Sequence, residues 1–230
     1  MDWLHHDERV ALWLSVQISL RSVLLCLPPA LAVAWLLARR RFRGRVLVDA
    51  LVHLPMVLPP VAVGYLLLIT FGTQGPVGGW LQRVFGVTLI FTRNGAALAT
   101  AVMTFPVVVR ALRLSLENVD PGLEDAARML GAGPLDRFWS VTLPLMLPGL
   151  LAGMIMAFSA GLGEFGAVIT FVSNIPGETR TLPLALYTAL QSPGGEASAA
   201  RLAAISIALG LAGLLLAEWF ARRVRRMLGR

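Results

Sequence analysis

Long apolar runs alternate along the chain with short breaks rich in arginine, glycine or proline. After a polar start at residues 1–9, five runs, at about 10–38, 46–71, 94–116, 141–172 and 201–220, have the length and composition of spans. Crossing the hydrocarbon core of a bilayer takes about 20 apolar residues of helix. The pattern predicts an all-α integral membrane protein with about five transmembrane helices. The first run is interrupted by Arg21 and Pro28-Pro29. The second contains Leu54-Pro55-Met56-Val57-Leu58-Pro59-Pro60. Proline removes an amide donor and strains the turn before it, so this span is expected to be kinked or broken. In a bilayer such backbone is tolerated only where neighbouring helices or a water-filled cavity satisfy it. Pro55, Pro59 and Pro60 are therefore pathway or gate candidates, with a kink that only serves packing as the alternative. The fourth run exceeds one perpendicular helix and carries Pro144, Pro148, Gly161, Gly163 and Gly166, so it too is expected to be tilted or broken.

Between the third and fourth runs lies a polar island at 120–140. Asp120-Pro121 is an N-cap and first-turn pair. Leu123, Ala126, Ala127 and Leu130 then fall on one helix face, and Glu124, Asp125 and Arg128 on the other. Gly131 suits the left-handed position past a helix end, and Gly133-Pro134 opens a second short helix through Leu135, Phe138 and Trp139. Two glycine- and turn-rich segments, 72–93 and 173–200, read as external loops. The first holds an amphipathic piece from Trp80 to Phe85, the second a short helix from Leu182 to Gln191.

Composition agrees with the pattern: 57% of the 230 residues are hydrophobic and 14% charged. All 20 basic residues are arginine, and the net charge of +7 gathers at the ends of apolar runs, which argues for topology signals and not for nucleic-acid binding. Arginines cluster after the first run (Arg39, Arg40, Arg41, Arg43, Arg45), around the polar island and at the C-terminus (Arg222, Arg223, Arg225, Arg226, Arg230). By the positive-inside rule the N-terminus is external and the C-terminus cytoplasmic. The first run is too long for a cleavable signal and lacks a small-residue cleavage pattern before Arg39. Cys26 is the single cysteine, so no intrachain disulfide forms. His5, His6 and His53 lie near span ends without catalytic partners, and no phosphate-binding loop with a lysine exists in a lysine-free chain. No catalytic, cofactor or metal site is expected.

Asp125-Ala126-Ala127, then three residues and Gly131, then nine residues and Val141, then one residue and Leu143-Pro144 resemble the EAA motif of bacterial ABC importer permeases. Asp125 stands where that family usually has glutamate, keeping the charge and shortening its reach. The resemblance implies a MetI-like type I core whose coupling helix, carrying Asp125, Ala126, Ala127, Gly131, Leu143 and Pro144, docks into a cytoplasmic ATPase. ATP and Mg would be used by that partner, and none by this chain. A connector helix between two spans is the plainer alternative. Further stretches, from His53-Leu54-Pro55 to Tyr65, Gly163-Glu164-Phe165-Gly166-Ala167, Phe171 to Thr181, and Gln191 to Glu196, are similar to those of molybdate importer permeases. That likeness implies import of molybdate, with tungstate as a further cargo, across the bacterial inner membrane. It also implies two permease copies, two ABC ATPase copies and a periplasmic or lipid-anchored binding protein. Sulfate permeases share the Gly-Glu-Phe-Gly element and are the rival reading.

The loop carrying Ser173, Asn174, Glu178 and Arg180 is the expected contact for the binding protein. Glu164 lies within an apolar run, where a carboxylate costs roughly 3 kcal/mol or more unless paired or wetted. An ionised glutamate repels a passing dianion, so Glu164 is expected to be structural or gating with Gly163 and Gly166. It would either pair with Arg21 or cap a broken helix.

Overall fold

The computed structural model describes residues 5–227, without the side chains of 221 and 224–227. Residues 1–4 of the polar start, Arg230, and the side chains of Arg225 and Arg226 in the C-terminal basic cluster lie outside the described residues. Every element is helical: α1 (His6–Arg39), α2 (Arg45–Val57), α3 (Pro60–Phe71), α4 (Pro76–Phe85), α5 (Arg93–Glu117), α6 (Pro121–Met129), α7 (Pro134–Arg137), a π turn (Phe138–Thr142), α8 (Leu143–Leu162), α9 (Gly166–Val172), α10 (Leu182–Gln191) and α11 (Glu196–Met227). Among the described residues four helical stretches are long and apolar enough to cross a bilayer: α1, α5, Pro134–Leu162 and Glu196–Phe220. A fifth crossing exists if α2 and α3, which meet at 112°, count as one broken span.

α1 differs from its expected outline. It runs unbroken through Pro28-Pro29, because one of its faces is clamped on either side of them: Val23, Cys26, Ala30, Ala34 and Leu37 are buried in a cluster shared with α5 and α8. At about 1.5 Å per residue it is about 51 Å long, well beyond the roughly 30 Å hydrocarbon core. Its first turns pack beside α10 and the start of α11, where Ala11, Leu182, Ala185, Ala189, Ala199 and Leu202 form a separate core. Polar groups fasten this end. The Leu182 amide donates to Ser15 Oγ at 2.7 Å. Glu8, only 4% exposed, accepts from the Ser198 hydroxyl at 2.6 Å, Arg201 Nη2 at 2.9 Å and the His5 amide at 2.9 Å. A buried carboxylate is stable only with such partners.

The second short helix of the polar island is not separate from the fourth span. α7 runs through the π turn into α8, and the span begins at Pro134 instead of near 141. Pro144 supplies the reason. It has no amide proton, and its ring crowds the carbonyl four residues back, which a widened turn accommodates. The Leu143 amide accordingly bonds the Phe138 carbonyl, five residues back. Beyond this point small residues let the helices close together: Gly149 and Gly153 of α8 face Ser115 and Ala111 of α5, Gly161 faces Ser19 and Thr100, and Gly213 of α11 faces Ser159. The last helix starts at Glu196, inside the stretch expected to be external loop.

Candidate functional site: a coupling segment and two apposed helix breaks

α6 begins as its sequence dictates. Asp120 Oδ1 accepts the Gly122 amide at 2.8 Å, and Pro121 occupies the first turn, where no amide partner is needed. Its end is a Schellman turn: the Ala132 amide bonds the Ala127 carbonyl and the Gly131 amide the Arg128 carbonyl, both at 3.0 Å, with Gly131 at φ +89°. Within α6 no residue is buried. Leu123, Met129, Leu130, Leu135 and Trp139 are all exposed, Met129 and Leu130 to 90% and 89%. Ala126 is exposed and Ala127 half-buried. Asp125 is also exposed and, among the described residues, pairs with Arg128 at 3.5 Å on the same helix, a contact worth little in water. Leu143 is half-buried against the α1–α5–α8 core, whereas Pro144 is exposed.

The polar face is split in a way that sequence reasoning missed. Glu124, grouped by periodicity with Asp125 and Arg128, turns inward. Its Oε1 accepts Arg39 Nη2 at 2.8 Å and the Thr142 hydroxyl at 2.7 Å. Helix periodicity carries no information about a partner 85 residues away. The only available signal was an arginine cluster expected on the same side.

The pathway candidates lie at two breaks that meet. α2 stops at Val57 with Leu58 as its C-cap, Pro59 is the N-cap of α3, and Pro60 fills its first turn. Pro55 sits inside α2, one turn before the break. In the fourth run α8 ends at Leu162, and Gly163, Glu164 and Phe165 lead into α9. A Cβ on Gly166 would lie 2.7 Å from Pro60 Cβ, and one on Gly64 would lie 2.7 Å from the Ala167 carbonyl oxygen. Glycine is required on both sides of this crossing because the backbones nearly touch. Glu164 lies in the break and accepts the Ala167 amide at 3.0 Å, capping α9. The expected alternative, an ion pair with Arg21, is not formed. Arg21 instead donates to Asn94 Oδ1 at 3.2 Å, at the start of α5.

The loop after α9 is held by its own polar groups. Ser173 adopts φ +64°, ψ −167°, and the buried Thr179 hydroxyl donates to its carbonyl at 3.0 Å and accepts the Ile175 amide at 2.9 Å. Asn174 donates to Thr188 of α10 at 2.8 Å and accepts from Arg180 at 2.9 Å. Glu178 pairs with Arg93 at 3.2 Å. Of the four loop candidates only Ser173 is exposed.

Residues 30–226 match the family described as binding-protein-dependent transport system inner membrane component. The chain belongs to this family. Like its other members it is a multi-pass protein of the inner membrane, and a transport subunit by family. Among its relatives is the molybdenum transport system permease protein ModB of Escherichia coli (strain K12), 56% identical over 227 residues, covering 99% of both chains. The sulfate transport system permease protein CysT of the same strain is 39% identical over 197 residues, covering 84% of this chain and 71% of that one. Of solved structures, a bacterial alginate ABC transporter in complex with alginate pentasaccharide-bound periplasmic protein superposes with a TM-score of 0.75 at 18% identity, covering 96% of this chain and 81% of that one. The fold is thus the MetI-like fold of ABC importer permeases.

Proposed function

We propose that this chain is the membrane-spanning permease of an ATP-driven importer that carries molybdate into the cytoplasm. The observation that carries this reading is the 56% identity, over 99% of both chains, to a molybdenum permease. Sulfate is the less favoured cargo, since the sulfate permease is 39% identical over a smaller share of the chain. In this reading two copies of the chain work with two copies of an ABC ATPase, which bind ATP and Mg, and with a periplasmic or lipid-anchored binding protein. α6 docks on the ATPase. Supporting that assignment are its outward apolar side chains Leu123, Met129 and Leu130, a surface that gains by burial in a partner. The crossing of Pro60 with Gly166 serves as the gate, and the exposed Ser173 loop receives the binding protein.

The test is reconstitution in liposomes with the ATPase and binding protein. Molybdate should stimulate both ATP hydrolysis and uptake. Stimulation by sulfate without stimulation by molybdate would replace the substrate assignment.

A further inference from the structure

Glu124 lies where three elements meet. A single oxygen, Oε1, joins α6 to the last turn of α1 through Arg39 and to the π turn opening α8 through Thr142. The Arg39 and Glu124 side chains are only 19% and 24% exposed, and Thr142 is buried, so solvent screens this contact much less than the exposed Asp125–Arg128 pair. α6 has no buried residue, so core packing does not hold it. Besides its flanking turns, this side-chain carboxylate bonds it to both α1 and the π turn. The π turn it reaches is a widened turn followed by Pro144, a point in the helix with fewer ladder bonds than its neighbours.

We propose that Glu124 is the positioning residue that passes movement of α6 to α1 and α8 together, so that both spans respond to the ATPase as one unit. The proposal rests on the reading of α6 as the ATPase-docking helix. Without the carboxylate, α6 would shift against the two spans, and hydrolysis would continue with less substrate moved.

The experiment uses the complete transporter in liposomes and reads molybdate moved per ATP hydrolysed, together with the amount of ATPase that co-purifies. Glu124→Gln keeps the shape and removes the charge. Thr142→Val keeps the shape and removes the hydroxyl. Glu124→Gln should lower the ratio by about fivefold or more. The double variant Glu124→Gln/Arg39→Gln should be no worse than the poorer of Glu124→Gln and Arg39→Gln alone, as for groups acting as one unit. A merely structural role would lower complex yield, uptake and hydrolysis in proportion and leave the ratio untouched. An unchanged ratio, or multiplying effects of the two single variants, would overturn the proposal. If Glu124→Gln fails to assemble, Thr142→Val decides on the same criterion. Leu130→Asp separates this from the docking reading. If the ATPase still co-purifies normally with that variant, α6 is not the docking helix and both ideas fall. If co-purification is lost there while Glu124→Gln keeps a normal ratio, only the positioning role falls.

Discussion

Two residues with positive φ illustrate opposite uses of backbone conformation. Gly131, at +89°, has nothing within 4 Å of where a Cβ would stand, so a side chain there meets no steric obstacle from neighbours. Its cost lies wholly in the backbone, on the order of 1 kcal/mol or more for a non-glycine residue. Gly131→Val should therefore reach the membrane at normal yield but open the turn after α6, and lower molybdate moved per ATP in reconstituted transporter. Gly131→Asn, which tolerates the left-handed region, should be milder. Equal, wild-type ratios for both variants would show that the turn does not position α6. Ser173, at φ +64° and ψ −167°, is in a region normally reserved for glycine, where strain is of order 1–3 kcal/mol. It is kept there by the Thr179 hydroxyl on its carbonyl. The first conformation was legible from sequence, because a glycine past an amphipathic turn is itself the signal. The second was not, since serine gives no such sign.

At the scale of elements, local chemistry predicted breaks but not their partners. Pro59-Pro60 implied an interrupted second span, and Gly163 with Gly166 an interrupted fourth, because each residue changes its own turn. The 112° bend and the apposition of the two breaks depend on which helices pack together, which no single stretch of sequence encodes. Glu164 shows the same limit. Its need for a donor was legible from the cost of a carboxylate in an apolar run. The donor proved to be the nearby Ala167 amide, while Arg21 was taken by Asn94. Glu124 shows it in the 120–140 segment, where both the cap and the terminal turn were legible and the link to Arg39 was not. The apposed breaks make a steric prediction. Gly166→Val places a branched side chain where a Cβ alone would lie 2.7 Å from Pro60 Cβ, so α3 and α9 must separate. Overpacking of this kind costs about 1–3 kcal/mol. Uptake should fall and the detergent-solubilised protein should melt earlier, whereas Gly163→Ala, whose Cβ would meet only the Ala160 carbonyl at 3.6 Å, should change little. Equal melting temperatures for the two variants would contradict the close crossing.

For the whole molecule, the contacts and the arginines together predict an orientation that can be measured. Glu124 ties α6 to Arg39, so α6 lies at the same end of the bundle as the arginines that follow α1. At about 1.5 Å per residue, Arg21 lies about 27 Å along α1 from Arg39, close to the roughly 30 Å thickness of the hydrocarbon core. It meets Asn94 there, in the first turn of α5, which puts both polar groups at the opposite boundary. The turns of α1 before Arg21 then rise beyond that boundary with α10 and the start of α11, fastened by Glu8 and Ser15. By the positive-inside rule the Arg39 end is expected on the cytoplasmic side. Ser173, in the loop held against α10 through Asn174, is then expected on the other side. Single cysteines at Met129 and Ser173, introduced after replacing the buried Cys26 by alanine, convert this into a measurement. A membrane-impermeant maleimide should label Met129→Cys only in inverted vesicles and Ser173→Cys only in right-side-out vesicles. Labelling of both from one side would break the link between the Glu124 contact and the span count, and the reversed pattern would invert the whole assignment.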